Sequence, residues 1–147
     1  MTTRSPSFGV AAPPDRGLSD AKVLGVVGLG TDLVEIDRFR RAMSRRARLG
    51  GRLFSDDERA YAERHRDPAP RLAARFAAKE AVMKALGVGL GAFKLRDVEV
   101  GLRTSGAPEL VLRGKAAALA AERGVTGWHL SLTHTDSMAM AVAVALG

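Results

Sequence analysis

The sequence contains no cysteine, few aromatic residues and no long apolar run. Without cysteine there is no disulfide framework, no thiolate zinc site and no cysteine nucleophile. The longest apolar stretches fall far short of the roughly 20 residues that a membrane-spanning helix needs, and the N-terminus lacks the continuous apolar core of a signal peptide. We therefore expect a cytoplasmic protein that has no membrane partner.

Length and composition are those of one globular domain. The chain has 147 residues, of which 46% are hydrophobic and 27% charged, and this length is enough to bury a core without crosslinks or metals. Lys and Arg number 23 against 16 Asp and Glu, giving a net charge of +7. Such a balance favours anionic partners such as nucleic acid, phosphorylated metabolites or acidic proteins, and does not choose among them.

The hydrophobic pattern predicts a mixed α+β fold. Residues 1–22 combine Pro, Gly and Ser without periodicity, which indicates a flexible extension and leaves 23–147 as the folded domain. Residues 23–34 predict a buried strand that ends near Asp32. Three helices, two β-hairpins and an Ala-rich helix between the hairpins account for the remainder.

The three helices after the first strand have recognisable ends. They are predicted over residues 35–49, 56–66 and 71–86. Gly50 ends the first, and Ser55 with Glu58 three residues later is a capping-box pattern at the start of the second. Gly87 follows the third as a C-terminal cap.

The third helix carries charges inside an otherwise apolar sequence, RFAAKEAVMKALG (75–87). Its small residues share one face suited to close packing on a sheet: Ala74, Ala78, Ala81, Val82 and Ala85. Glu80 and Lys84 fit two interpretations. They form either a surface ion pair, worth about 0.2–0.5 kcal/mol, or the seat of a metal and phosphates, because partly buried charges are costly unless paired or coordinated.

Asp32 presents a similar choice at the end of the first predicted strand. It either caps the following helix or, beside a Gly-rich segment, binds magnesium. Mg²⁺ takes one or two protein carboxylates and completes its octahedron with water and phosphate oxygens, and Asp32 with Glu80 meets that requirement. His134, at the end of another predicted strand, is either a turn residue or a donor to a phosphate.

Residues 38–55 contain seven arginines and no acidic residue: Arg38, Arg40, Arg41, Arg45, Arg46, Arg48 and Arg52. A solvated helix face explains such a run, but this density of one sign favours an anionic macromolecule, either RNA or an acidic protein. A noncatalytic nucleic-acid-binding module is therefore the alternative function. Only Phe39 and Phe54 lie in or beside the segment, so stacking platforms for bases are few, and we expect no nucleic-acid partner.

Three sequence blocks occur in order and at suitable spacing: VGLGTDLVEIDRF (27–39), RFAAKEAVMKALG and HLSLTHTDSMAMAVA (129–143). Together they resemble a known family, the small trimeric holo-acyl-carrier-protein synthases, which are 4′-phosphopantetheinyl transferases. The resemblance covers about 23–147. It implies a single catalytic domain of that family's fold, a mainly antiparallel sheet packed with helices, in a homotrimer with active sites between subunits.

The resemblance also implies a reaction and a site. The 4′-phosphopantetheine group of coenzyme A is transferred to a serine of an apo acyl carrier protein, and 3′,5′-ADP is released. By motif position, Asp32 and Glu80 bind Mg²⁺ together with the diphosphate of coenzyme A, and Lys84 lies against that diphosphate. Arg75 and His134 help to hold the nucleotide phosphates.

The same resemblance implies a docking surface for an acidic carrier protein. Arg38 and the arginines that follow it, Arg45 among them, correspond to that surface. Lys79 receives no ligand role and is interpreted as an ion-pair partner.

Overall fold

The computed structural model describes residues 25–147, and these form five α-helices and two antiparallel sheets. In chain order the elements are β1 (Val26–Glu35), α1 (Ile36–Arg45), α2 (Leu49–Leu53), α3 (Asp56–Glu63), α4 (Ala69–Ala85), β2 (Val98–Leu102), β3 (Pro108–Leu112), α5 (Gly114–Glu122), β4 (Gly127–His134) and β5 (Met138–Leu146). A 3₁₀ turn, Leu95–Asp97, precedes β2. The predicted α+β class is confirmed. The extension predicted for 1–22 lies outside the described residues.

The larger sheet has the strand order β1-β5-β4, and all its neighbours are antiparallel. Ala141 in the central strand faces Asp32 on one side and Leu132 on the other. The inward positions of β5 are fully buried alanines: Ala139, Ala141, Ala143 and Ala145. These short side chains allow a helix to pack close to the sheet.

That helix is α4, and glycines in β1 bring it nearer still. A Cβ on Gly30 would lie 1.8 Å from the carbonyl oxygen of Ala81, and one on Gly28 would lie 1.9 Å from that of Ala85. Only glycine fits at such a distance, because no side chain can approach a backbone oxygen so closely. The predicted packing of the small-residue face of this helix on a sheet is confirmed.

The ends of α4 follow from its sequence. It begins at Ala69, two residues earlier than predicted, because Pro70 is tolerated in a first helical turn, where its missing N–H has no partner to lose. Gly87 has φ +64°, and its N–H donates to the Lys84 carbonyl at 3.0 Å. The predicted glycine cap is confirmed.

Two predicted boundaries are wrong. The first helix ends at Arg45, and Gly50 lies inside the separate helix α2. A Cβ on Gly50 would stand 3.3 Å from the terminal methyl of Met43, so glycine here permits tight packing and does not end a helix. Asp32 lies inside β1, because the pairing of β1 with β5 continues as far as Glu35.

The strand predicted over 23–34 is present as β1, but it is not buried as predicted: within β1 only Gly30 is buried, because nothing in the described residues covers the face turned away from α4. The remaining predictions of secondary structure agree with the structure apart from small shifts. The capping box at the start of α3 is present, with both reciprocal hydrogen bonds, although α3 ends at Glu63. The two hairpins are β2–β3 and β4–β5. In residues 25–147, no helix is long and apolar enough to cross a bilayer.

On the face of the larger sheet turned away from α4, strands β1 and β5 carry a group of apolar side chains, whereas β4 carries His129, Ser131 and Thr133. We call the apolar group the outer sheet face, and it comprises Leu29, Leu33, Met140, Val142 and Val144. Leu29 is 64% exposed and Leu33 is 61% exposed. Nothing in the described part of the chain covers these side chains. Large exposed apolar areas of this kind mark interaction surfaces.

Candidate active site

The contact between α4 and β1 places Lys84 over Asp32. The ammonium nitrogen of Lys84 is 3.0 Å from Asp32 Oδ1 and donates to the carbonyl of Thr31 at 2.9 Å. The Asp32 side chain is 18% exposed and that of Lys84 is 53% exposed. Lys84 thus forms its ion pair across the strand–helix contact, and not with Glu80 one turn earlier in its own helix.

Glu80 lies half-buried on α4, near Asp32. Its Oε1 is buried and has no hydrogen-bond partner within residues 25–147. Burial raises the pKa of Glu80, repulsion from Asp32 raises it further, and Lys84 opposes the rise. A buried carboxylate oxygen without a partner, next to a second carboxylate, is suited to hold a cation.

The donor set fits magnesium. Asp32 and Glu80 line the same cleft and supply only carboxylate oxygens. Among the residues described, no three His, Asp or Glu side chains come together to form a larger ligand set. Two protein carboxylates are what Mg²⁺ uses when phosphates and water complete its octahedron.

The cleft that contains these carboxylates has a volume of about 1310 Å³. Helices α1 and α2 form one side of the cleft, and helix α4 and the 3₁₀ turn form the other. Its cationic lining comprises Arg38, Arg46, Arg52, Lys94 and Arg96. Its apolar lining includes Phe39, Leu49, Leu53, Phe76, Leu90 and Leu95. Such a cleft suits an anionic ligand that also has apolar parts.

Comparison with known proteins decides the family. The family described as the 4′-phosphopantetheinyl transferase superfamily matches residues 28–143. The holo-[acyl-carrier-protein] synthase of Streptomyces avermitilis is 47% identical over 124 residues, which is 84% of this chain and 100% of that protein. This chain belongs to the 4′-phosphopantetheinyl transferase superfamily.

Solved structures agree with this membership. The holo-[acyl-carrier-protein] synthase of Neisseria meningitidis superposes with a TM-score of 0.75 at 31% identity, over 82% of this chain and 98% of that one. The Helicobacter pylori holo-[acyl-carrier-protein] synthase, solved in complex with coenzyme A, gives 0.70 at 27% identity, over 80% and 98%. The resemblance inferred from the three sequence blocks is therefore confirmed.

Two residues that the phosphopantetheinyl transferase resemblance assigns to nucleotide phosphates lie away from the carboxylate pair of the same chain. Arg75 is buried, and its guanidinium carbon lies 4.2 Å from the centre of the Tyr61 ring. Burial lowers the pKa of Arg75. His134 is exposed at the end of β4. The register of the sheet places it level with Val34 but two strands away from β1, the strand that carries Asp32. Neither lines the cleft, and their phosphate roles stay predictions.

The two arginines predicted to dock a carrier protein are both exposed on α1. Arg38 lines the cleft, whereas Arg45 lies outside it. Neither has an acidic partner within 4.0 Å in the described structure. Arg40, by contrast, pairs with Asp67 at 2.6 Å. The helix thus presents Arg38 and Arg45 as cations available to an external acidic surface.

One feature beside the site was missed from the sequence. The prediction that Lys79 is an ion-pair partner is confirmed, and its partner is Glu58, 2.8 Å away and equally buried. The sequence pattern indicates only the capping-box role of Glu58. The signal available in the sequence was that Lys79 falls on an apolar side of α4, where an unpaired charge would be costly.

Proposed function

We propose that this chain transfers the 4′-phosphopantetheine group of coenzyme A to a serine of an apo acyl carrier protein, as a holo-acyl-carrier-protein synthase. The observation that carries the proposal is the carboxylate pair of Asp32 and Glu80 in a cationic cleft, with Lys84 beside it. Relatives at 41–47% identity have that name, and the Helicobacter pylori neighbour binds coenzyme A.

In the proposed reaction the serine oxygen forms a bond to the β-phosphorus of coenzyme A. The bond from that phosphorus to the oxygen bridging the two phosphates breaks, 3′,5′-ADP leaves with the bridging oxygen, and the serine proton passes to a carboxylate of the cleft or to a water molecule. Mg²⁺ held by Asp32 and Glu80 would neutralise charge on the phosphoryl oxygens. Lys84 would contact the diphosphate and contribute a second positive charge, while docking of the carrier orients the serine.

A direct assay tests this function. The chain is incubated with coenzyme A, Mg²⁺ and a panel of apo carrier proteins, and intact-mass spectrometry is used to look for the phosphopantetheine adduct. The control omits coenzyme A. If no carrier in the panel gains the adduct, the proposal is wrong, and salt-dependent RNA binding in the same preparation would favour the nucleic-acid-binding alternative.

Docking of the carrier is the next part of the proposal, and Arg38 carries it. We expect Arg38→Glu to raise the KM for the carrier about tenfold, because the substitution places a like charge against an acidic surface. The KM for coenzyme A should stay within twofold. The matched control is Lys115→Glu, which makes the same charge change at an exposed position of α5. An unchanged carrier KM in Arg38→Glu would count against docking at this site.

We further propose a homotrimer whose active sites lie between subunits. The outer sheet face supports assembly because its apolar side chains have no cover among the described residues. The position of His134 supports shared sites, since it is exposed and lies away from the carboxylate pair of its own chain. Arg75 is buried against Tyr61 and does not bear on this argument. The cytoplasmic location expected from the sequence stays a prediction.

Assembly is tested by a charge in the outer sheet face. Leu29→Arg should convert the trimer into monomers, because a guanidinium would be buried in an apolar interface without a partner. Light scattering coupled to gel filtration measures the mass. Leu102→Arg is the control, because Leu102 is 43% exposed but lies in the other sheet. A monomeric wild type, or a trimeric Leu29→Arg, contradicts this assignment.

A further inference from the structure

Directly behind the cleft, a buried lysine uses all of its hydrogen-bonding capacity. The Lys79 side chain is fully buried. Its ammonium donates to Glu58 Oε2 at 2.8 Å, to the Leu95 carbonyl at 3.2 Å and to the Val98 carbonyl. Because an ammonium has three N–H donors, Lys79 is saturated by these contacts and has none left for a ligand.

Its partner is equally occupied. Glu58 accepts the Val100 N–H through Oε1 and the Ser55 N–H through Oε2, both at 2.9 Å. The pair therefore ties together α4, the start of α3, the 3₁₀ turn and β2. Buried ion pairs that tie separate segments fix their relative positions, whereas their contribution to stability is often small.

One of the segments held in this way forms part of the cleft. The 3₁₀ turn begins at Leu95, which lines the cleft together with its neighbours Lys94 and Arg96. Lys79 immediately precedes Glu80 in α4. The pair thus links the wall that carries Lys94 and Arg96, which we call the 3₁₀ wall, to the helix that carries Glu80.

We propose that the Lys79–Glu58 pair is a positioning device for carrier binding: it holds the 3₁₀ wall at a fixed distance from α4. Lys94 and Arg96 on this wall line the same cleft as Arg38, the proposed docking residue, so they add positive charge where the acidic carrier docks. This inference rests on the proposed function. The pair touches no substrate and acts through Lys94, Leu95 and Arg96. A displaced wall weakens the charge contacts of a docked carrier, whereas Asp32 and Glu80 are carried by the separate backbone contact between β1 and α4.

The test replaces both charges with apolar side chains. The double variant Lys79→Met/Glu58→Leu fills the volume of the pair with apolar side chains but leaves the backbone partners of both residues without hydrogen bonds. Its fold is therefore verified by circular dichroism and thermal unfolding before the kinetics are measured. The KM for the apo carrier should rise about fivefold or more, while kcat and the KM for coenzyme A stay within about twofold. The matched control is Arg113→Gln, which removes the 3.1 Å ion pair to Glu99 in β2, away from the cleft, and should leave all three constants unchanged.

A second measurement does not depend on turnover. The Asp97 N–H donates to the Lys94 carbonyl inside the 3₁₀ wall, at 2.8 Å. Its hydrogen exchange should be about tenfold faster in the double variant than in the wild type, because the wall opens locally more often. Exchange at this amide tests the linkage even if the wild type modifies no carrier, so a failed proposed function and a failed positioning role are distinguishable.

The positioning role is overturned by unchanged exchange at Asp97, by an unchanged carrier KM in the folded double variant, or by parallel changes in kcat and both KM values. If the double variant does not fold, Lys79→Gln is measured well below its own melting temperature. Its side-chain amide keeps donors for the carbonyls of Leu95 and Val98 but loses the charge. The same selective rise in carrier KM is then expected, and its absence again overturns the proposal.

Discussion

We expect Glu80→Gln to lower kcat by at least about 10³-fold, since a metal in this role supplies several kcal/mol of transition-state stabilisation and each 1.36 kcal/mol is tenfold in rate. Glutamine keeps the size of the side chain but removes the anionic oxygen that has no partner among the described residues. Steady-state transfer to the carrier measures the effect. Glu63→Gln, at an exposed position of α3, is the control.

The same substitution should not destabilise the metal-free protein. Because the pKa of Glu80 is raised in the folded state, the native protein holds this proton more tightly than the unfolded chain does. The contribution of the Glu80 carboxyl to the free energy of unfolding therefore falls as the pH rises from the ordinary glutamate pKa through the raised pKa of Glu80 in the folded protein. At pH 7 the wild type carries that cost and Glu80→Gln does not, so the melting temperature should be equal or higher. Full activity in a folded Glu80→Gln would reject the metal role.

The second large effect is expected for Gly30→Ala, which should destabilise the fold by about 3 kcal/mol, at the upper end of overpacking costs. The new methyl would lie 1.8 Å from the Ala81 carbonyl oxygen and 2.7 Å from the Ala85 nitrogen. Both are backbone atoms of α4, so no side-chain rotation relieves the clash. The helix must move away from β1, which separates Glu80 from Asp32, and transfer should be lost together with stability.

Thermal and denaturant unfolding measure this change, and a drop in melting temperature of about 10 °C is expected. The control is Gly101→Ala in β2, where the nearest atom to a new Cβ is the Glu109 Cγ at an ordinary 3.6 Å. That variant should be about as stable as the wild type. If Gly30→Ala also melts like the wild type, α4 does not pack on β1 as closely as described.

Much of the fold follows from local patterns. The capping box, the glycine cap of α4 and the two hairpins depend on residues close in sequence, and all were predictable. The end of α1 and the interior position of Asp32 in β1 were not, because they depend on contacts that form only in three dimensions. Gly50 lies against Met43, and β1 is extended by its pairing with β5.

The candidate site likewise contains features that the sequence predicts and features that it does not. That Asp32 and Glu80 line one cleft was predictable, because each belongs to a motif with a chemical meaning, and their metal-binding role stays a prediction. The partners of the neighbouring lysines were not, since each ion pair joins distant segments. Lys84 pairs with Asp32 and Lys79 with Glu58, separated by 52 and 21 positions in the chain. Only the packing of α4 against β1 and α3 determines these pairs.

The closeness of α4 to the sheet also affects how the site responds to heat. Because alanines and glycines separate the two layers, the backbones that carry Asp32 and Glu80 are in direct contact. That contact fixes the distance between the two backbones, and the distance can increase only when α4 and β1 part. The Mg²⁺ affinity that we propose for this site should therefore persist almost to the unfolding transition and then be lost with it, without a gradual decline at lower temperatures.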